Sequence, residues 1–145
     1  MGDSLALRLR GSWELISRID RAPDGEQRIE PSLGSDPVAF LVFDGSGRFA
    51  AQFMKRDRTR TVDLPAARNN TSARDGYDAY FGSYDVDESS SMVKTHLMAA
   101  LSRDHVGKTH TRRMTVEGDT LTIELDTTTP EGEAVKRTLT WRRVA

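Results

Sequence analysis

Met92 to Val116, MVKTHLMAALSRDHVGKTHTRRMTV, reads as two strands joined by a short turn and carries all three histidines of the chain. If the two strands pair symmetrically about Arg103 to Gly107, Ser102 opposes Lys108. Ala100 then faces His110, Met98 faces Arg112 and His96 faces Met114, all on one side of the sheet. His96 and Arg112 become diagonal neighbours among Met92, Met98 and Met114, an apolar wall with a few polar tips of the kind that lines small-molecule pockets. The opposite face, Val93, Thr95, Leu97, Ala99 and Leu101, is also apolar. Alternation therefore leaves both faces open as the interior, and a one-residue change in assignment turns every side chain over. His105 falls in the turn.

Working outward, the same period of two recurs along most of the chain. After Gly118-Asp119, Leu121, Ile123 and Leu125 alternate with Thr120, Thr122 and Glu124 through Asp126. Thr127 to Glu133, with Pro130 and Gly132, turns into a last strand from Ala134 to Val144, with Val135, Leu139 and Trp141 on one face. Upstream, Val38 to Phe43 is a continuous apolar run, and Asp44-Gly45-Ser46-Gly47 turns it into Arg48 to Lys55 as a hairpin. Lys55 to Arg60 is a basic loop, read as a solvated rim or as a mouth attractive to anions. Ser72 or Asp75 could cap a helix to about Phe81, placing Tyr77, Tyr80 and Phe81 on one side; Gly82 ends it and Ser83 to Asp87 starts a strand.

At the N-terminus, Asp3 or Ser4 can cap a short helix through Arg10 that covers a barrel end. From Ser12 the first strand places Trp13, Leu15, Ser17 and Ile19 on one face and Glu14, Arg18 and Asp20 on the other; Pro23-Asp24-Gly25 turns into a second strand at Glu26 to Glu30. Nine strand candidates with turn signals between them, and one or two short helices, predict a mainly β fold. Its form would be an antiparallel up-and-down barrel of eight to ten strands.

Composition narrows the functions. The 145 residues suit one domain spanning 1–145, hence one internal pocket in place of an interdomain cleft. Lys plus Arg number 21 against 22 Asp plus Glu, without the positive surplus that phosphate backbones demand, so no nucleic-acid partner is expected. The chain has no cysteine, which removes disulfides, thiol nucleophiles and thiolate metal sites. The start, MGDSLALRLRGSW, lacks a basic, apolar leader, and no stretch approaches the roughly 20 apolar residues of a membrane helix. A cytoplasmic protein, monomeric or a homodimer, with no membrane partner is the expectation.

Gly11-Ser12-Trp13 opening the first strand, and Trp141-Arg142-Arg143 closing the last, resemble the lipocalin signature, in which an arginine of the final strand lies over that tryptophan. Arg142 or Arg143 would be the matching cation. Further motifs follow in order: Asp44 to Arg48, Gln52-Phe53-Met54, Tyr77 to Phe81, Gly82 to Asp87, Val93 to His96, and Val106-Gly107 before Arg112-Arg113. Together they resemble the bacterial lipocalin-like domain family across nearly the whole chain. The resemblance implies a lipocalin- or calycin-like barrel and says almost nothing about activity. Lys55 to Arg60 departs from the family's proline-containing turn, and Thr95 stands where a first histidine of a pair would be.

The candidate ligand-binding residues are therefore His96, Arg112, Met98, Met114, His110, Tyr84, Tyr80 and Gln52. His96 suits hydrogen bonding or proton transfer and Arg112 an anionic oxygen. The tyrosines would direct hydroxyls at a cavity mouth or pack a barrel end with their rings. His96 and His110 find no third ligand of convincing spacing, so neither a metal nor another cofactor is expected. These residues predict a binding protein for a small, largely apolar molecule with one anionic or hydrogen-bonding group. The alternative is a cofactor-independent isomerase or cyclase working on a secondary metabolite in the same cavity, with His96, Arg112 or a tyrosine handling charge.

Overall fold

The computed structural model describes residues 3–145, so Met1 and Gly2 lie outside the described residues. The elements in order are α1 (Leu5–Leu9), β1 (Gly11–Arg21), β2 (Gln27–Arg28), β3 (Val38–Phe43), β4 (Arg48–Met54), β5 (Tyr77–Asp87), β6 (Met92–Ala100), a 3-10 turn (Arg103–His105), β7 (Thr109–Glu117), β8 (Thr120–Thr128) and β9 (Ala134–Arg143). Every strand pairs antiparallel with its neighbour, and β1 pairs with both β3 and β9. Eight strands thus close a barrel. The two-residue β2 lies outside it, paired with Asp20 and Arg21 at the far end of β1.

One end is sealed by α1. Ser4 caps it by accepting from the Leu7 amide at 3.2 Å, and the Glu88 carboxylate accepts from the Leu5 and Ala6 amides at 2.7 and 3.0 Å. Leu5 and Leu9 turn into the barrel above Trp13, whose indole Nε1 donates to the Leu9 carbonyl at 2.9 Å. The Arg143 guanidinium sits 4.3 Å from the Trp13 ring centroid and donates to the Arg8 and Arg10 carbonyls, each at 2.7 Å. Arg142 points outward and pairs with Glu14. Glycine is required at 11: its φ is +127° and an added Cβ would lie 2.4 Å from the Ala145 carbonyl oxygen.

Three expectations are corrected. The 72–81 segment is not a helix, since Asp75 and Gly76 adopt positive φ and β5 begins at Tyr77. The tyrosine spacing that suggested a helical face is a strand alternation in which Asp78, Tyr80, Gly82 and Tyr84 point inward while Phe81 is exposed. On β1 the register with β9 shifts between Leu15 and Ser17. Ile16 is the extra residue, 48% exposed, and beyond it Arg18 and Asp20, expected outside, turn inward.

The third correction concerns the hairpin. Thr95 opposes His110 and Val93 opposes Arg112, so the pairing differs from the symmetric one by an odd number of residues. An odd offset uncouples the faces: Val93, Thr95 and Leu97 share the interior with His110, Arg112 and Met114, and His96 is left outside. The connection is responsible. Leu97 exchanges backbone hydrogen bonds with Gly107 and Lys108, while Leu101 leaves β7 altogether and donates to Ala79 of β5.

The long connection 55–76 and the loop 29–37 lie over the end opposite α1 and contribute Asn70, Thr71, Ala73, Glu30, Ser32 and Leu33 to the interior. In the basic stretch, Arg56 pairs with Asp36 at 3.0 Å and Arg58 with Asp75 at 3.4 Å. No helix among the described residues is long and apolar enough to cross a membrane.

Candidate functional site

Between this covered end and the Trp13 end the barrel encloses a cavity of about 80 Å³. A space of that size holds a few waters, so a ligand with a ring must displace lining side chains to enter it. Its body is apolar: Phe49 and Phe53 from β4, Met114 from β7, Ile123 and Leu125 from β8, Leu139 and Trp141 from β9. The Phe53 ring meets Trp141 edge to face at 5.8 Å between centroids, and Tyr80 stacks on Phe53 at 6.5 Å. These contacts fix an aromatic wall.

Several polar groups of the lining are charged. Arg18, Arg112 and Arg137 bring three buried guanidinium groups to it, with Asp78, Tyr80, Thr95 and His110. Two of the arginines have carboxylate partners. Arg137 forms a two-point pair with Asp20 at 2.7 and 2.9 Å, both side chains about 95% buried. Arg18 meets Glu30 at 3.4 Å, and Glu30 is itself held by the Ser32 hydroxyl and amide, each at 2.6 Å.

Arg112 differs. No carboxylate lies within ion-pair distance of it among the described residues; it donates to its neighbour's carbonyl at Thr111, 3.1 Å, and to the Asn70 side-chain oxygen at 3.5 Å. The residue is 9% exposed. Burial brings its guanidinium down to about 10, against a small opposing pull from Tyr80, and it still carries its charge at neutral pH.

Around it the equilibria are displaced by the same low polarity. Burial raises the Asp78 carboxyl to about 6, although the Thr71 hydroxyl donates to its Oδ2 at 2.6 Å. Its other oxygen, Oδ1, is buried and accepts no hydrogen bond among the described residues. Burial and the charge of Asp78 push Tyr80 up to about 12, so its hydroxyl stays protonated. Burial, reinforced by Arg112, lowers His110 to about 4, so its ring is neutral at pH 7. His105, in the 3-10 turn as expected, is fully buried with both ring nitrogens unpartnered, and burial lowers it as well.

Of the eight residues singled out in the sequence, Tyr80, His110, Arg112 and Met114 line this cavity. His96, Met98 and Gln52 stand on the outer surface. His96 bridges Thr109 and Asp85 there at 2.8 Å each, Met98 is 51% exposed beside the β5–β6 irregularity, and Gln52 pairs with the Tyr77 hydroxyl. Tyr84 packs edge-on against Phe43 and donates to the Asp44 carbonyl at 3.0 Å, away from the cavity. Asp78, Arg18 and Arg137 were not anticipated. For Arg137 the signal was present, because strict alternation on β9 puts it between Val135 and Leu139 on the inner face. For Arg18 it was hidden by the bulge.

Among the described residues no group of three or more His, Asp or Glu side chains is placed to hold a metal ion. No curated protein matches the chain. The family model described as the lipocalin-like domain matches residues 10–144. That span runs from the residue before Gly11 to the residue after Arg143, and so contains both halves of the Trp13–Arg143 contact and all eight barrel strands. The chain belongs to the lipocalin-like domain family.

Proposed function

We propose that the barrel binds a small amphipathic molecule, its anionic group on Arg112 and its apolar body along Phe53, Ile123, Leu125, Leu139 and Trp141. The observation that carries this reading is the buried Arg112 guanidinium without a carboxylate partner. A buried charge lacking a counter-charge is costly to the folded protein, and an anion arriving from solution offsets that cost. The neighbouring arginines are each already matched by an acid, so neither Glu30 nor Asp20 is free to neutralise Arg112.

The test is calorimetric titration of the whole chain with phenylpropanoate and with its neutral amide. The carboxylate should bind at least about tenfold more tightly, the strength usual for a hydrogen bond to a charged group. Equal affinities, or a preference for the amide, would overturn the reading.

The alternative, a cofactor-independent isomerase or cyclase in the same cavity, is favoured by Asp78, a carboxyl brought to about 6 with one free oxygen among the lining groups. Such a group could accept a proton from a bound carbon acid and return it elsewhere. His96 has no part in that version, being outside. Incubation in deuterium oxide of any molecule that co-purifies would distinguish the two: a rearranged, deuterium-labelled product formed by the parent protein and not by Asp78→Asn supports the enzyme.

A further inference from the structure

We infer that Asp78 forms a second polar subsite of the cavity, an acceptor that selects ligands carrying a hydroxyl or N–H donor in addition to the anionic group held by Arg112. The inference rests on the reading of the cavity given above and narrows its ligand class. Asp78 and Tyr80 are successive inward residues of β5, and Asp78 is 3% exposed. Its two oxygens are not equivalent. Oδ2 is anchored by the Thr71 hydroxyl at 2.6 Å, which comes from the 55–76 connection over the barrel mouth. Oδ1 belongs to a residue of the cavity lining and takes no hydrogen bond among the described residues. No lysine or arginine lies within ion-pair distance of Asp78 among the described residues. The carboxylate is thus fixed at one oxygen and unsatisfied at the other, which is buried at the cavity wall.

The chemistry of the unsatisfied oxygen is that of an acceptor. At neutral pH the group is largely ionised and has no proton to give. A wholly apolar ligand body would leave the buried Oδ1 still without a partner, whereas a donor would satisfy it, and sites built around such a group discriminate strongly against analogues that lack the donor. The ligand class that satisfies the whole lining is therefore an aromatic or alicyclic hydroxy acid, or the equivalent with an N–H. Its anionic end lies on Arg112, its ring along the Phe53 and Trp141 wall, and its donor on Asp78.

The test uses the whole chain at pH 7.5 and four probes: phenylpropanoate and its ortho, meta and para ring-hydroxylated isomers. At least one isomer should bind at least about tenfold more tightly than the parent acid, and Asp78→Asn should lose that gain while still binding the parent. The comparison among ligands in the unaltered protein needs no variant, so it stands even if the substitution impairs folding. Binding of the parent acid with no gain from any isomer overturns the subsite and leaves the anion site intact. A gain that survives in Asp78→Asn also overturns it. Failure of all four probes to bind overturns the reading of the cavity, and this inference with it.

Discussion

Asp78 and His110 face one cavity with protonation equilibria displaced in opposite directions, so replacing either should expose a pH dependence that the other conceals. Burial lifts the Asp78 carboxyl from 3.8 to about 6. Folded protein then holds that proton more tightly than unfolded chain. Its burden on stability is absent below pH 3.8, grows as pH rises and is complete above about 6. The displacement corresponds to about 3 kcal/mol. His110 moves the other way, from 6.5 to about 4 through burial and then Arg112. The unfolded chain accepts a proton that the folded ring refuses, so this burden is absent above 6.5 and complete below about 4, again about 3 kcal/mol. Between pH 4 and 6 their pH slopes nearly cancel, and their summed cost stays about constant. Urea unfolding at half-unit steps from pH 4 to 7 should therefore show Asp78→Asn gaining about 3 kcal/mol relative to the parent as pH rises, and His110→Gln losing about as much. Asp44, Asp57 and Asp87, held below the usual carboxylate range by hydrogen bonds to their turns, titrate alike in all three proteins and drop out of the differences. A difference between parent and Asp78→Asn that stays constant across this range would refute the placement of Asp78 in a poorly solvated interior.

Three further outcomes follow from named contacts. Asp20→Asn leaves the buried Arg137 guanidinium without its two-point partner and should cost about 3–5 kcal/mol in urea unfolding, whereas Asp20→Leu combined with Arg137→Met should recover most of that loss. Gly82→Ala would place a Cβ 1.7 Å from the His96 carbonyl oxygen at the β5–β6 irregularity, so it should cost more than about 3 kcal/mol or prevent folding, and a loss under about 1 kcal/mol would contradict the close strand approach. Arg143→Met should cost about 1–3 kcal/mol and shift the emission of the tryptophan it covers, while Arg142→Met, whose surface pair with Glu14 is solvated, should change stability by less than about 1 kcal/mol.

The barrel was legible because most strands obey alternation with apolar residues inside. β8 and β9 are the plainest cases, with Leu121 facing Trp141 and Ile123 facing Leu139 across the pairing. The site was less legible because charged and polar residues interrupt its apolar inner face. Asp78 is passed over because its segment reads as a helix, and Arg137, although alternation places it inside, because a period-two reading favours apolar residues. Local irregularities account for the rest. The bulge at Ile16 reverses the faces of Arg18 and Asp20, and the Leu97 to Lys108 connection shifts the hairpin by an odd count, which separated His96 from Arg112. Both depend on backbone hydrogen bonds between segments distant in sequence, notably Leu101 to Ala79, which no composition of the turn itself encodes. The GxW motif was legible for a simple reason: Gly11, Trp13 and Arg143 touch one another at the α1 end.

The account stands on the unpartnered charge of Arg112, and the most direct measurement crosses that residue with the ligand's charge. Phenylpropanoate and its amide are titrated calorimetrically into the parent protein and into Arg112→Met, a substitution that keeps apolar length and removes the cation. The preference for the carboxylate in the parent should be about tenfold to a hundredfold, equivalent to about 1.5–3 kcal/mol, and should vanish in Arg112→Met with the amide affinity nearly unchanged. A carboxylate preference of equal size in both proteins would contradict the assignment of the anion site to Arg112.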